Sequence, residues 1–202
     1  MWGRNEADRN HYLGHSYVYL IAARLGVEMP EAELEFYNRG KSGNTVQNLR
    51  NRWQADAIEM KPDVLSILVG VNDVGQTLRK DLSGAVDTTA WESTYRYLLD
   101  ASRKANPALR LVLLDPFVLA SGRLNEPTAY QAYRGQVDRL IAIVTQLAKD
   151  YDAAHIQTQQ VFDQAAKVVS PEHWIWDGVH PLPQGHELIA RQWVQSVREK
   201  WG

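Results

Sequence analysis

The chain has 202 residues, 45% of them hydrophobic and 23% charged, which suits one globular domain with a single substantial core. A formal net charge of -2 gives no electrostatic reason to expect a nucleic-acid or anionic-membrane partner. Zero cysteines exclude disulfides, thiolate catalysis and cysteine-based zinc sites. No apolar run approaches the roughly 18 residues that span a bilayer, and Met1-Trp2-Gly3-Arg4-Asn5-Glu6 has no signal-peptide pattern, so a cytoplasmic protein is expected.

Tyr17, Leu20, Ile21 and Leu25 recur at helical spacing up to Gly26, a residue suited to a C-terminal cap. Leu34-Glu35-Phe36-Tyr37 reads as a short strand running into Asn38-Arg39-Gly40-Lys41-Ser42-Gly43. Asn44 or Thr45 then caps a helix carrying Val46, Leu49, Trp53, Ala57 and Ile58, which Pro62 closes. Residues 64–69 form a strand apolar enough for the centre of a sheet, and Gly70-Val71-Asn72-Asp73 follows as a loop. Thr89 with Glu92 makes a capping box for a helix to about Lys104, followed by a buried-type strand over 109–114. Pro127 opens a long helix to Asp150, a weaker strand covers 153–158, and Pro183 opens a last helix with Leu188, Ile189, Trp193 and Val197 on one face. This alternation predicts an α/β protein, a three-layer α/β/α sandwich around a parallel sheet, in a single domain over 1–202.

In such a sheet ligands bind beyond the carboxyl ends of the strands, so the residues just after strands are the ones to examine. Asp177 stands three positions before His180 in Trp176-Asp177-Gly178-Val179-His180-Pro181, a spacing at which the carboxylate accepts the imidazole Nδ1 hydrogen and frees Nε2 as a base. Asn72, placed after the most apolar strand, can aim its amide at a developing oxyanion, and the backbone N–H of Gly43 can serve as a second donor. Each motif has a plainer reading as turn chemistry; their occurrence in this order, each at a strand exit, favours a site.

The combination resembles the SGNH, or GDSL, hydrolase superfamily, whose blocks supply a serine, a glycine, an asparagine and a histidine. Gly43 matches the glycine block, Asn72 in Gly70-Val71-Asn72-Asp73 the asparagine block, and Asp177 with His180 the last. Asn38-Arg39-Gly40-Lys41-Ser42-Gly43-Asn44-Thr45-Val46, Lys61-Pro62-Asp63 and the Trp176–Pro181 run look most similar to the bacterial xylan acetylesterase branch. The resemblance implies a flavodoxin-like sheet of order 2-1-3-4-5, a serine esterase mechanism with His180 as base, Asp177 as its orienter and Asn72 and Gly43 as the oxyanion hole, and no metal or cofactor. It further implies a small ester or acetylated-oligosaccharide substrate, with no nucleic acid and no membrane as partners. Trp174 and Trp176, flanking the dyad, are expected to stack on a sugar.

The departure lies at the start: the Gly-Asp-Ser block and its strand are not found, and Ser16 and Ser42 fall in other matched segments. The expectation is therefore a sheet lacking its first strand, a nucleophile supplied by a longer natural product or another segment, and self-association into a homo-oligomer through exposed edges. A general short-chain or lysophospholipid-type esterase and a catalytically silent binding module are the alternatives. Trp53, Trp91, Trp193 and Trp201 read as packing, His186 as a surface or capping residue, and Arg50 and Arg52 with Asp56 and Glu59 as a solvated helix face. His11, His15 and His155 make no metal-spaced cluster.

Overall fold

A computed structural model describes residues 4–202 apart from Glu6 and Lys80. Three parallel strands, β1 (Val64–Leu68), β2 (Arg110–Leu114) and β3 (Ala154–Ile156), pair in the order β1-β2-β3, with Leu68 opposite Leu114 and Leu114 opposite Ile156. Period-two alternation makes β2 the hinge between two apolar layers. Leu111 and Leu113 point into a core built with α2 (Val46–Trp53), α3 (Val71–Leu78), α4 (Thr88–Ala105) and α5 (Pro127–Asp150). Val112 and Leu114 point the other way, against α1 (Tyr17–Glu28), α6 (Thr158–Ala165) and α7 (Pro183–Trp201). This is the expected three-layer α/β/α arrangement.

The sheet differs from expectation in its middle. β2, fully buried from Leu111 to Leu114, is the central strand, whereas Val64 and Ser66 of β1 are exposed and β1 lies at an edge of the described sheet. The segment around Leu34-Glu35-Phe36-Tyr37 is no strand. In the order 2-1-3-4-5 its neighbour would be the first strand rather than β1. No strand among the described residues fills that position, so these residues have no ladder to join. They are held by side chains instead: Asn38 Nδ2 donates to Leu13 O at 2.7 Å, and Arg4 donates to Asn38 O at 2.6 Å.

Helix boundaries follow local chemistry, with two predicted caps corrected. Gly26 lies inside α1, which runs on to Glu28 and is closed by the Met29 N–H donating to Leu25 O at 2.9 Å. Asp87, not Thr89, caps α4, its carboxylate accepting from the Ala90 amide at 3.0 Å. Thr45 caps α2 with a reciprocal box to Asn48. Beyond α2 the chain continues as a π-helical turn, Gln54–Ile58, before Pro62 stops it. Helices α3 and α6 arise where sequence reading placed loop or strand, each too short for its periodicity to stand out. The four tryptophans read as packing are in the core or packed against it. Trp53 donates to Leu98 O and Ser102 Oγ, and Trp193 donates to Ser66 Oγ at 3.0 Å, tying α7 to β1.

Candidate active site

Asp177 and His180 meet as their spacing predicts. Asp177 Oδ2 lies 2.8 Å from His180 Nδ1, while Oδ1 accepts from the backbone N–H groups of His180 at 2.8 Å and Val179 at 3.1 Å. One carboxylate therefore closes the turn with one oxygen and orients the imidazole with the other, so capping the turn does not prevent it from orienting the ring. Asp177 is 9% exposed, and the His180 side chain is 45% exposed, leaving its ring reachable from solvent. Burial works against ionisation of Asp177, yet the hydrogen bonds from His180 and the two amides outweigh it and hold the carboxyl below its ordinary range.

The loop is clamped from two sides. Its ends are joined by an antiparallel bridge between Ile175 and Pro181 and by Trp176 N–H to His180 O. The segment leaving β2 supports its middle: Leu119 N–H donates to Gly178 O at 3.0 Å. Ser121, fully buried, donates its hydroxyl to Ile175 O at 2.6 Å and accepts from Gly178 N–H at 3.1 Å. Gly122 sits at φ +51°, so close beneath the loop that a Cβ there would fall 2.5 Å from Trp176 O. Arg123 Nη2 stands 3.7 Å from Asp177 Oδ2. Sequence reading missed these three; a Ser-Gly-Arg run carries no periodicity, and only its tertiary contacts give it a role.

Asn72 and Gly43 are brought together from the other side of β1. Asn72 lies in the first turn of α3, directly after the strand, not in a free loop, and its Nδ2 donates to Asn44 O at 3.1 Å. An amide nitrogen carries two hydrogens, so one remains for a ligand. Its neighbour Asp73 accepts from Val46 N–H at 3.1 Å at the start of α2. Both side chains of the Asn-Asp pair thus reach across the chain, Asn72 to Asn44 and Asp73 to Val46. Gly43, exposed, takes φ +76° with open space where a Cβ would be, a conformation that only glycine adopts without strain.

Because the strands are parallel, the exits of β1 and β2 lie at the same end of the sheet. Gly70, leading to Asn72, packs against Pro116, which follows β2 toward Ser121. The Asn72 side and the Asp177 side of the site are therefore both built on the carboxyl edge of neighbouring strands.

The two flanking tryptophans separate. Trp176 is 55% exposed and its ring stacks on that of His180, 6.2 Å between centroids and 25° between planes. Trp174 is partly buried against the α1/α7 core, with its Nε1 donating to Val169 O at 3.2 Å. His186, expected at the surface or as a cap, is partly buried: it packs near Tyr17, and its Nδ1 has no hydrogen-bond partner among the described residues. Burial pushes its pKa down to about 4.

Burial also raises Asp73, to about 6. Such a group binds its proton more tightly folded than unfolded. Its contribution to stability is complete below about pH 4, the ordinary carboxylate value, and is lost as the pH rises through 6. Relative to Asp73→Asn, which keeps an oxygen for Val46, the wild-type protein should lose on the order of 2 kcal/mol between pH 4 and pH 7. Paired urea titrations check this, and a constant difference would refute it.

A family model, the GDSL-like Lipase/Acylhydrolase family, matches residues 2–188. The chain belongs to that family. Among curated relatives, an acetylxylan esterase of Geobacillus stearothermophilus is 31% identical over 194 residues, covering 94% of this chain and 84% of the relative. The crystal structure of that acetylxylan esterase superposes with a TM-score of 0.79 at 29% identity, covering 96% of this chain and 85% of the other. An alpha/beta hydrolase from the metagenome of Lake Arreo gives 0.80 at 28% identity, covering 97% and 89%. Catalytic mutants of the Geobacillus enzyme replace a serine in one case and an aspartate in another. The GDSL architecture and the esterase relatives support an SGNH-type esterase.

Proposed function

We propose that the protein is an SGNH-type serine esterase that removes acetyl groups from xylo-oligosaccharide-like carbohydrate esters. The observation that carries this reading is the dyad: a buried, ionised Asp177 fixing the tautomer of a solvent-accessible His180, with an exposed indole stacked beside it. In the proposed reaction a serine hydroxyl attacks the acetyl carbonyl while His180 Nε2 takes its proton. The tetrahedral oxyanion is met by Asn72 Nδ2 and Gly43 N–H, and collapse passes the proton from His180 to the departing sugar oxygen. Water then attacks the acetyl-enzyme by the same route in reverse. Trp176 offers a flat apolar face to a sugar ring, which suits a carbohydrate better than a long acyl chain.

One observation favours a second reading. Among the described residues no hydroxyl hydrogen-bonds to His180, whose ring is hydrogen-bonded to Asp177 and stacked on Trp176. A protein with this site and no nucleophile within reach would bind an acetylated sugar without turning it over. Acetate release from acetylated xylo-oligosaccharides, measured beside calorimetric binding, separates the two. Release, together with covalent labelling of a serine by a fluorophosphonate, supports the esterase. Binding without release supports the silent module, and faster hydrolysis of long-chain than of acetyl esters would point to a general or lysophospholipid-type esterase.

The tryptophans supply a further check. Trp176→Ala should raise KM for the oligosaccharide severalfold, with stability changed by less than about 0.5 kcal/mol because the ring is mostly solvent-facing. Trp174→Ala should instead cost about 2–4 kcal/mol in urea unfolding, through lost packing against the α1/α7 core. Equal KM effects from both would contradict the separation of their roles.

A further inference from the structure

We propose that Arg52 is the positioning residue of the oxyanion loop, holding residues 39–44 so that the Gly43 N–H and the Asn72 amide keep one arrangement. This rests on the reading of Gly43 and Asn72 as oxyanion donors. Arg52 lies in the last turn of α2, where its spacing to Asp56 reads as an ordinary solvated helix pair. It is instead largely buried, its side chain 17% exposed, and it bonds to both ends of the loop: Nε donates to Asn44 Oδ1 at 2.9 Å and Nη1 to Arg39 O at 2.8 Å.

Asn44 is consequently gripped twice, its side-chain oxygen by Arg52 and its backbone oxygen by Asn72. Gly43 is the residue between that anchor and the exposed Ser42, in a conformation with no side chain to brace it. The guanidinium is fixed in turn by Asp56, which the π-helical turn carries and which is itself 9% exposed. Asp56 also accepts from Arg39 Nε at 3.1 Å, with Lys41 Nζ 4.0 Å away, so one carboxylate gathers three cations around the loop. A simple ion pair would need none of the bonds to the loop's carbonyl and amide oxygens; a fork that places two donors at fixed angles does.

The test uses nitrogen-15-labelled protein with Arg52→Gln, Arg52→Lys and Asn44→Ala. In Arg52→Gln the Gly43 amide and Asn72 side-chain resonances should shift or broaden. Exchange of the 39–45 amides should accelerate at least about tenfold. The Asn106 side-chain resonance, bonded to Pro62 O at 3.2 Å, should stay in place. Arg52→Lys should not restore the signals, since an ammonium keeps the charge but not the fork. Asn44→Ala, which leaves the Arg52–Asp56 pair intact, should reproduce the loop effect and keeps the test open if the glutamine variant does not fold. Full rescue by lysine, or unchanged Gly43 and Asn72 signals in Arg52→Gln and Asn44→Ala, would overturn the proposal. On acetyl esters kcat should fall at least about tenfold with KM within about twofold. Loop signals that respond as expected without any kcat change would leave the clamp standing and remove the oxyanion assignment instead.

Discussion

Replacing His180 with alanine is expected to lower kcat for acetyl-ester hydrolysis by about a thousandfold or more, with the protein still folded. The side chain makes one hydrogen bond, to Asp177, and is nearly half exposed, so little packing is lost with it. Asp177 keeps the two amides of Val179 and His180 and does not become an unpaired buried charge. Asp177→Asn should come close to the same loss. The asparagine can still accept at one oxygen, but it can present an N–H toward Nδ1 and so favour the wrong tautomer. Steady-state kinetics alongside thermal unfolding of both variants measure this. A loss smaller than tenfold for His180→Ala would remove it from the base role.

Gly122→Ala is expected to be strongly damaging although it lies outside the dyad. A methyl group there would lie 2.5 Å from Trp176 O and 2.6 Å from Asp177 Cα, and the φ of +51° already disfavours any side chain. Both obstacles are backbone, which no rotamer change relieves. The expected cost is about 2–4 kcal/mol of stability, together with loss of activity as the Asp177 loop is pushed from its support on the β2 exit. Gly26→Ala provides the contrast: it lies within α1 with open space around it, and alanine there should stabilise by up to about 1 kcal/mol. Urea midpoints for the two variants that moved alike would show that the close approach beneath the Asp177 loop has no energetic weight.

The Asp177–His180 loop explains why some of this candidate site was legible in the sequence. Asp177 and His180 are three residues apart, and a carboxylate at that spacing bonds its own turn and its own imidazole with no help from elsewhere in the chain. Gly43 could be singled out because a residue without a side chain leaves its backbone N–H unobstructed at a helix entry; its φ of +76° is what the structure adds. The roles of Trp174 and Trp176 could not be separated, because two tryptophans in one short run look alike until the core takes one of them. Arg52 was read as surface for a similar reason: helical spacing to Asp56 is visible, whereas contact with Arg39 O and Asn44 Oδ1 depends on how the loop folds back over the helix.

Local chemistry written in the chain determined the alternation of strands and helices, the long α5 opened by Pro127, the packing tryptophans and the Asp-His turn, since each depends on periodicity or on neighbours a few residues away. The tertiary structure alone decided which strand is central, whether the residues around Phe36 pair, and which groups support the dyad. Strand pairing and buried hydrogen bonds join residues tens of positions apart, and their stabilisation depends on what each segment finds beside it. An apolar strand such as β1 carries the composition of a sheet centre, yet among the described strands it is β2 that pairs on both sides, because composition records only what the residues can bury.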